Sequence, residues 1–435
     1  MEKREIDHAT YQNKNKMRNI TKDIEIKVLS PLHIGCGKEL KYGLDFLVKG
    51  NAVSIIDYHN LYDNLLKKSN DATALSNELA KTIISRDNLS SFCENHFSKG
   101  DTSIFKKKKY TIQNISVTPE TIKCLYCNPL SNLPTIPGSS VKGAIRSIIL
   151  NLILSQETKD SLRKNNEKII ENQIELTNLT GKNTYTDKNR IKELKRDIRV
   201  SMVKMSQYFN SPDIKDLMSC IRISDFTLTS ETSAELYNTN IFDLSGQDKK
   251  WHGGWKVAQN KTESKRKPRG FNTFYECISP GTIAEGKISL RGDVLDLMVK
   301  KGLITRDAIN SYIFFERIEN LFYTINLHSI SYLEKEIDFF TEYETDGTHQ
   351  IIESLTEIKN QIPTDSTPKA CVLKMSAGSG FHSITGDWMY PNHIEPYDAH
   401  LHPFSKETKI PYKTRKIVEV NNHLSEMGFV KLTLI

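Results

Sequence analysis

The sequence predicts an α+β fold, with antiparallel sheets that carry helices on one face. Three observations lead there. Short segments of alternating apolar and polar residues recur along the chain, separated by turns rich in glycine, proline and asparagine. Strands and helices do not follow the regular beat that builds a parallel sheet. One amphipathic helix is sharply patterned, while much of the remaining helical spacing falls in polar stretches. No repeat of solenoid period is present.

Taken in order, Asp23–Leu29 alternates through Ile24, Ile26 and Val28, which predicts a strand ending before Pro31. The loop Leu32–Lys38 follows, and Leu44–Ile56 reads as two short strands around Lys49-Gly-Asn. Tyr58–Ser85 has helical spacing, and Lys107–Cys124 returns to strand character. Ile136–Leu154 is the clearest helix, and the polar stretch Glu157–Phe209 reads as a helical insertion. Ile221–Phe226 is a short strand, and Lys249–Gly270 a basic loop. Asn272–Cys277 and Thr282–Leu290 are expected to form a hairpin around Pro280-Gly281. Thr305–Ile337 is expected to be helical, and Thr341–Thr367 a second polar insertion. Cys371–Met375 reads as a strand running into Ala377-Gly-Ser-Gly380, and Thr414–Val420 with Gly428–Leu434 as a closing pair. The expected organisation is a disordered lead-in over residues 1–20, then an N-terminal domain over 21–226 with its insertion at about 157–209. A C-terminal region over 227–435 carries the basic loop at 249–270 and the glycine-rich loop at 377–380.

With 435 residues, 38% of them hydrophobic and 26% charged, the chain has material for a full core and room for two domains. No apolar run is long enough to cross a membrane, and the charged first twenty residues lack the apolar core of a secretory signal. A cytoplasmic location with no membrane partner is the expectation. Seven cysteines, an odd number spread from Cys36 to Cys371, argue against a disulfide framework. Cys124-Leu-Tyr-Cys127 has the spacing of half a zinc site but no second pair to complete it. It reads better as two half-buried residues on a strand, and neither metal nor cofactor is expected. The net charge of +7 is unevenly spread, because Lys249–Arg269 holds eight basic residues against Glu263 alone. Such a concentration suits a polyanion, although a charge run is also what a solvated loop looks like.

The stretch Ile136-Pro-Gly-Ser-Ser-Val-Lys-Gly-Ala-Ile-Arg146 carries the most chemistry. Val141, Ala144, Ile145, Ile148, Ile149 and Leu152 make one apolar stripe. Ser139 or Ser140 is a good N-cap, and Pro137-Gly138 allows a tight start. The first-turn amides would then point outward with the helix dipole behind them, which favours an anion. Lys142 and Arg146 run against that dipole, so an external anion would explain them. Gly143 costs about 1 kcal/mol in a helix interior and suggests the close approach of another backbone. A well-capped core helix with two exposed cations is the other reading.

This string resembles the signature of the RAMP superfamily of CRISPR proteins. Leu29-Ser-Pro-Leu-His-Ile-Gly-Cys-Gly37, Pro280-Gly-Thr-Ile-Ala284 and Ala377-Gly-Ser-Gly380 are similar to other segments of that family, in the same order. Chain length, Thr414-Arg-Lys416 and Gly428-Phe-Val-Lys-Leu432 fit one group within it best, the fifth Csm subunit of type III-A effector complexes. The resemblance implies ferredoxin-like (RRM-like) domains and a subunit that binds the 3′ region of the guide RNA, caps the backbone filament and supports guide maturation. Implied partners are the repeated backbone RAMP subunit, the small helical subunit and recruited host nucleases. On this resemblance Ser139, Ser140, Lys142 and Arg146, started by Gly138, would touch RNA phosphates. Gly35, Gly37, Gly378 and Gly380, with Lys38 and Ser379 beside them, would let the RNA backbone come close. In the basic loop, Lys256, Lys265, Arg266 and Arg269 would offer charge, and Trp251 and Trp255 either stacking faces or packing. Cys36 stands in a glycine-rich turn that often carries serine in the family.

The rival expectation is an endoribonuclease, acting on the guide precursor or the target. His33 titrates near neutrality, and Asp45 lies about where the related backbone subunit carries its target-cutting aspartate. A metal-assisted cut gathers more than one carboxylate, and neither Glu39 nor Asp57 has a telling spacing. The non-enzymatic reading is therefore the expectation, with His33 a loop-packing residue and Asp45 a turn residue. A protein scaffold without RNA contact is the third possibility.

Overall fold

The computed structural model describes residues 17–68, 71–85, 89–97, 103–112, 119–153, 156–179, 185–209, 217–228, 234–247, 250–258, 261–266, 273–311, 313–380, 383 and 414–435. The strands in chain order are β1 (Ile20–Val28), β2 (Gly35–Lys41), β3 (Phe46–Lys49), β4 (Ala52–Ile56), β5 (Phe105–Thr111) and β6 (Thr121–Leu125). They continue as β7 (Thr135–Ile136), β8 (Ile221–Ile223), β9 (Phe226–Thr227), β10 (Ala234–Gln247), β11 (Lys250–Ala258) and β12 (Lys261–Glu263). The last six are β13 (Thr273–Ile278), β14 (Ile283–Leu290), β15 (Ala370–Lys374), β16 (Arg415–Val420), β17 (His423–Glu426) and β18 (Phe429–Leu434). The helices are α1 (Tyr58–Lys68), α2 (Ala72–Ser85), α3 (Leu89–His96), α4 (Gly138–Ile153), α5 (Gln156–Leu179) and α6 (Tyr185–Phe209). After them come α7 (Gly292–Lys300), α8 (Arg306–Ser311), α9 (Ile318–Glu342) and α10 (Thr348–Lys359).

The mixed fold with antiparallel sheets and helical insertions is as the sequence predicts. Its centre is a five-stranded antiparallel sheet of order β15-β18-β1-β14-β8. Alternation along β1 puts Ile24, Ile26 and Val28 into one core with Val141, Ile145, Ile148 and Ile149 of α4 and Leu321, Phe322 and Ile325 of α9. A second, eight-stranded sheet runs β12-β11-β10-β13-β6-β2, with β16 and β17 joined to β10. A small sheet, β3-β4-β5, lies with α1, α2 and α3 over a separate cluster that includes Ile56, Leu61 and Phe92.

Several expectations are corrected. Residues 273–290 do not form a hairpin: β13 pairs with β10 and β6, whereas β14 pairs with β1 and β8. The turn at Pro280-Gly281 hands the chain from one sheet to the other. Likewise β16 pairs with β17 and β10, and β18 with β1 and β15, so the two closing strands are not partners. Residues 341–367 are not a polar insertion, because α10 buries Ile351, Leu355 and Ile358 in the core beneath α9. The basic segment is not a loop over its described residues. β11 and β12 pair as a hairpin because Trp255 drives into the core against Phe242. The lead-in is ordered from Met17, whose amide donates to Asp296 at 3.1 Å; residues 1–16 lie outside the described residues. Position 226/227 does not separate two sheets, since both large sheets draw strands from either side of it. The insertion at 157–209 is helical, as expected, and forms the helix pair α5–α6.

Candidate nucleic-acid interface

Register alone brings the glycine segments together. Val28 of β1 pairs with Val430, Lys27 with Ile283, and Lys374 with Phe429. The loop after β1, the turn before β14, the loop after β15 and the turn before β18 therefore leave the same end of the central sheet. Backbone bonds then stitch them. Leu29 and Ser30 amides donate to the Phe429 carbonyl, Gly428 to Pro31, Gly281 to Val28 and Ala377 to His33, at 2.8–3.2 Å. Gly428 (φ +97°) is tied to this crossing, since a Cβ there would sit 2.0 Å from the Met375 carbonyl oxygen.

Gly35, Gly37 and Lys38 do not lie in a free loop but open β2, where the pairing with β6 slips between Gly35 and Glu39. That bulge re-aims the exposed backbone, with Gly37 at φ +80° and open space where its Cβ would be. Gly380 is equally open, whereas Gly378 is packed on Met427. Tyr275 anchors the floor between these glycines, with the Lys123 ammonium 5.7 Å and the Lys416 ammonium 5.4 Å from its ring centre. Lys416 also reaches the Tyr275 hydroxyl at 3.3 Å, and Lys123 pairs with Glu39 at 3.1 Å. Neither lysine stands out in the sequence as a contact residue. Thr414-Arg-Lys416 is legible only through the family resemblance, and Lys123 is one cation on an ordinary strand.

Below the second glycine loop lies a cavity of about 250 Å³, lined in part by Ser379, Lys374, Arg415 and Glu426. Lys374 pairs there with Glu426, and Arg415 with Glu336 at 2.6 Å, all four nearly fully buried. Burial and the neighbouring Glu336 raise the Glu426 carboxyl to about 7, against the opposing pull of Lys374.

The start of α4 stands against β8, the edge strand four strand spacings, about 19 Å, from β15. The expected outward-facing amides are partly used internally. Gly138 donates to the Asp225 carboxylate at 2.8 Å, and Ser140 to the Pro137 carbonyl at 2.9 Å. The cap is thus an aspartate from the β8–β9 corner, and the helix begins at Gly138 ahead of both serines. Gly138 is the glycine in close contact, its Cβ position 2.2 Å from the Ile223 carbonyl oxygen. Gly143 faces open space, contrary to the sequence expectation. Leu152 is half exposed and leaves the apolar stripe, which continues through Ile153 against the core. Ser139 is exposed, and Lys142 is half buried beside Arg222; burial first, and then that guanidinium, lower the Lys142 ammonium. Two crowded cations at a helix start, with Arg146 one turn on, favour an anion. Arg222 had no signal in sequence, because its proximity comes from β8 pairing.

The other predicted residues lie elsewhere. Lys256 and Lys265 sit on or beside the β11–β12 hairpin, which edges an open groove of about 630 Å³. Arg266 pairs with Glu419 at 2.8 Å, and Trp255 is buried with its indole donating to the Asp346 carbonyl, so Trp255 is a packing residue. Arg269 lies outside the described residues. His33 is buried, donates from Nδ1 to the Glu276 carbonyl at 2.7 Å and stacks edge-on to Tyr275; burial lowers its pKa and favours the neutral ring. Asp45 closes its own turn, accepting the Lys41 amide at 2.9 Å. Among the described residues no three of His, Cys, Asp and Glu are placed to hold a metal ion. Cys124 and Cys127 are half-buried on and after β6, and burial raises the Cys124 thiol to about 12.

Residues 25–370 match the RAMP superfamily. The chain belongs to the RAMP superfamily. This RAMP protein is 24% identical over 281 residues to the CRISPR system Cms protein Csm5 of Mycobacterium tuberculosis, in strains CDC 1551 / Oshkosh and ATCC 25618 / H37Rv. That match spans 60% of this chain and 64% of each relative, less than two thirds of their length. Its fold is similar to the crystal structure of T. onnurineus Csm5, with a TM-score of 0.56 at 18% identity over 93% of this chain and 99% of that one. It is also similar to a chain in the cryo-EM structure of a Csm–crRNA–target RNA ternary complex of a type III-A CRISPR-Cas system. There the TM-score is 0.53 at 17% identity, over 96% of this chain and 100% of that chain. Among the described residues no helix is long and apolar enough to cross a membrane.

Proposed function

We propose that this RAMP protein is a non-catalytic subunit of a type III-A CRISPR interference complex. It binds the 3′ region of the guide RNA, caps the backbone filament and supports guide maturation alongside other Csm subunits. The observation that carries this reading is the convergence of four glycine-containing turns on one end of the central sheet, beside Lys123 and Lys416. Open glycines let a sugar–phosphate backbone approach, and the lysines and α4 start supply charge across a span too wide for a single phosphate. The likeness to Csm5 and to a chain of an RNA-bound Csm complex supports the same role. His33 and Asp45 serve packing and a turn in this account.

The test is binding of single-stranded RNA by the purified chain across a salt series. Affinity should fall steeply with salt, and Lys142→Glu with Arg146→Glu should weaken it by about tenfold while leaving thermal unfolding unchanged. Unchanged affinity counts against the α4 contact. RNA cleavage with added divalent metal that disappears in His33→Ala or Asp45→Ala would establish the endoribonuclease reading instead.

A further inference from the structure

The α5–α6 pair carries a feature that the glycine surface does not use. The two helices pack on each other through Ile169 and Leu194, and Asn165 donates to the Ser201 carbonyl at 2.9 Å. Arg190 locks them further, pairing with Glu175 across the pair at 2.6 Å and with Glu193 on its own helix. On α6 the residues Lys188, Lys192, Lys195, Arg196 and Arg199 recur at i, i+4, i+7, i+8 and i+11. All five are exposed. At about 100° per residue they occupy one face, turned away from Leu194, while Asp187, Glu193 and Asp197 fall on other sides. Arg196 pairs with Asp197 at 3.3 Å, but among the described residues Lys188, Lys192, Lys195 and Arg199 pair with no carboxylate.

Like charges one turn apart destabilise a helix, so a stripe of this kind is held against local preference. Acidic residues are present on the same helix, yet none interrupts the stripe. It runs about 16 Å along the helix axis, long enough to meet several phosphates of a duplex. Between Lys188 and Arg199 there is no aromatic side chain to stack an unpaired base. Single-strand sites combine charge with such stacking platforms, whereas a double helix offers a stiff phosphate ridge and no free base faces. We infer that the outward face of α6 docks on the phosphate backbone of double-stranded RNA. This inference is independent of the glycine surface and of the subunit role proposed above.

The experiment measures fluorescence anisotropy of the full chain with a blunt RNA duplex and with a single strand, over a salt series. The stripe variant carries Lys188→Glu, Lys192→Glu and Arg199→Glu. A control of equal charge change carries Lys164→Glu, Lys168→Glu and Lys369→Glu, all exposed and off the stripe. The stripe variant should lose duplex affinity by about tenfold or more, with a salt slope shallower by roughly three counterions. The control should retain duplex affinity within about twofold, and both variants should keep the helical content of the parent by circular dichroism. Equal loss in both variants, unchanged duplex binding in the stripe variant, or a loss confined to the single strand would overturn the inference. Failure of Lys142→Glu with Arg146→Glu to affect single-strand binding would instead bear on the α4 contact alone.

Discussion

Gly138 and Gly143 lie five positions apart and have opposite surroundings. A methyl at Gly138 would collide with the Ile223 and Ser224 carbonyls, so Gly138→Ala should destabilise the fold by roughly 1–3 kcal/mol and loosen α4 from β8. At Gly143 nothing lies within reach, and Gly143→Ala should stabilise α4 by about 0.5–1 kcal/mol. Denaturant unfolding of the two variants checks both signs. If an RNA backbone passes over Gly143, the stabilised variant should still bind single-stranded RNA less tightly, so that stability and affinity part company. Sequence marked both glycines but assigned the close approach to the wrong one. The helical penalty is a property of the residue, while the neighbour that justifies a glycine arrives through β8, more than eighty positions later. Asp225 escaped notice for the same reason: an acid becomes a cap only when a sheet brings it to a distant helix start.

Elements that carry their own periodicity were legible, and their partners were not. β1 and α4 show their buried faces in residue order, with Ile24, Ile26 and Val28 on one and Val141, Ile145 and Ile148 on the other. β10 and α7 went unassigned. The partners of β13, β14, β16 and β18 follow from which sheet each strand enters, which alternation alone does not encode. The helix α10 is masked by its composition, because its apolar face, Ile351, Ile352, Leu355 and Ile358, is short and set among polar residues. Leu355→Ala should therefore cost about 2–5 kcal/mol in chemical denaturation, as for a core position. A value near zero would restore the insertion reading. In the β11–β12 hairpin, charge dominated the sequence while the buried Trp255 decided the structure.

Across the whole molecule, α9, β15, β16 and β17 meet in the buried group of Glu336, Lys374, Arg415 and Glu426, with Tyr332 against it. The Glu426 carboxyl is raised to about 7 by burial first, and Glu336 adds to the shift. An acid whose folded pKa lies above its unfolded value binds more protons when folded. Its contribution is complete below the unfolded pKa near 4.5 and is lost as pH rises through about 7. Thermal unfolding should thus show stability falling by roughly 2 kcal/mol between about pH 5 and about pH 8. Glu426→Gln should flatten that slope, and a parent profile that rises over the same range would refute the assignment. Because this group lies under Ala377–Gly380, the same titration should loosen one wall of the proposed RNA surface.

The position of β1 has a consequence for how the molecule is made. Its two neighbours in the sheet, β14 and β18, are translated roughly 260 and 400 residues after it, about a minute at the slower end of translation rates. Through that interval Ile24, Ile26 and Val28 have no sheet to join, and the nascent chain must keep them from other partners. When β18 arrives, it closes the sheet and stitches Phe429 and Gly428 to the first loop in one step. The end of the sheet that holds the glycine turns therefore waits for β18, so RNA would meet a finished surface only on a molecule whose synthesis has passed that strand.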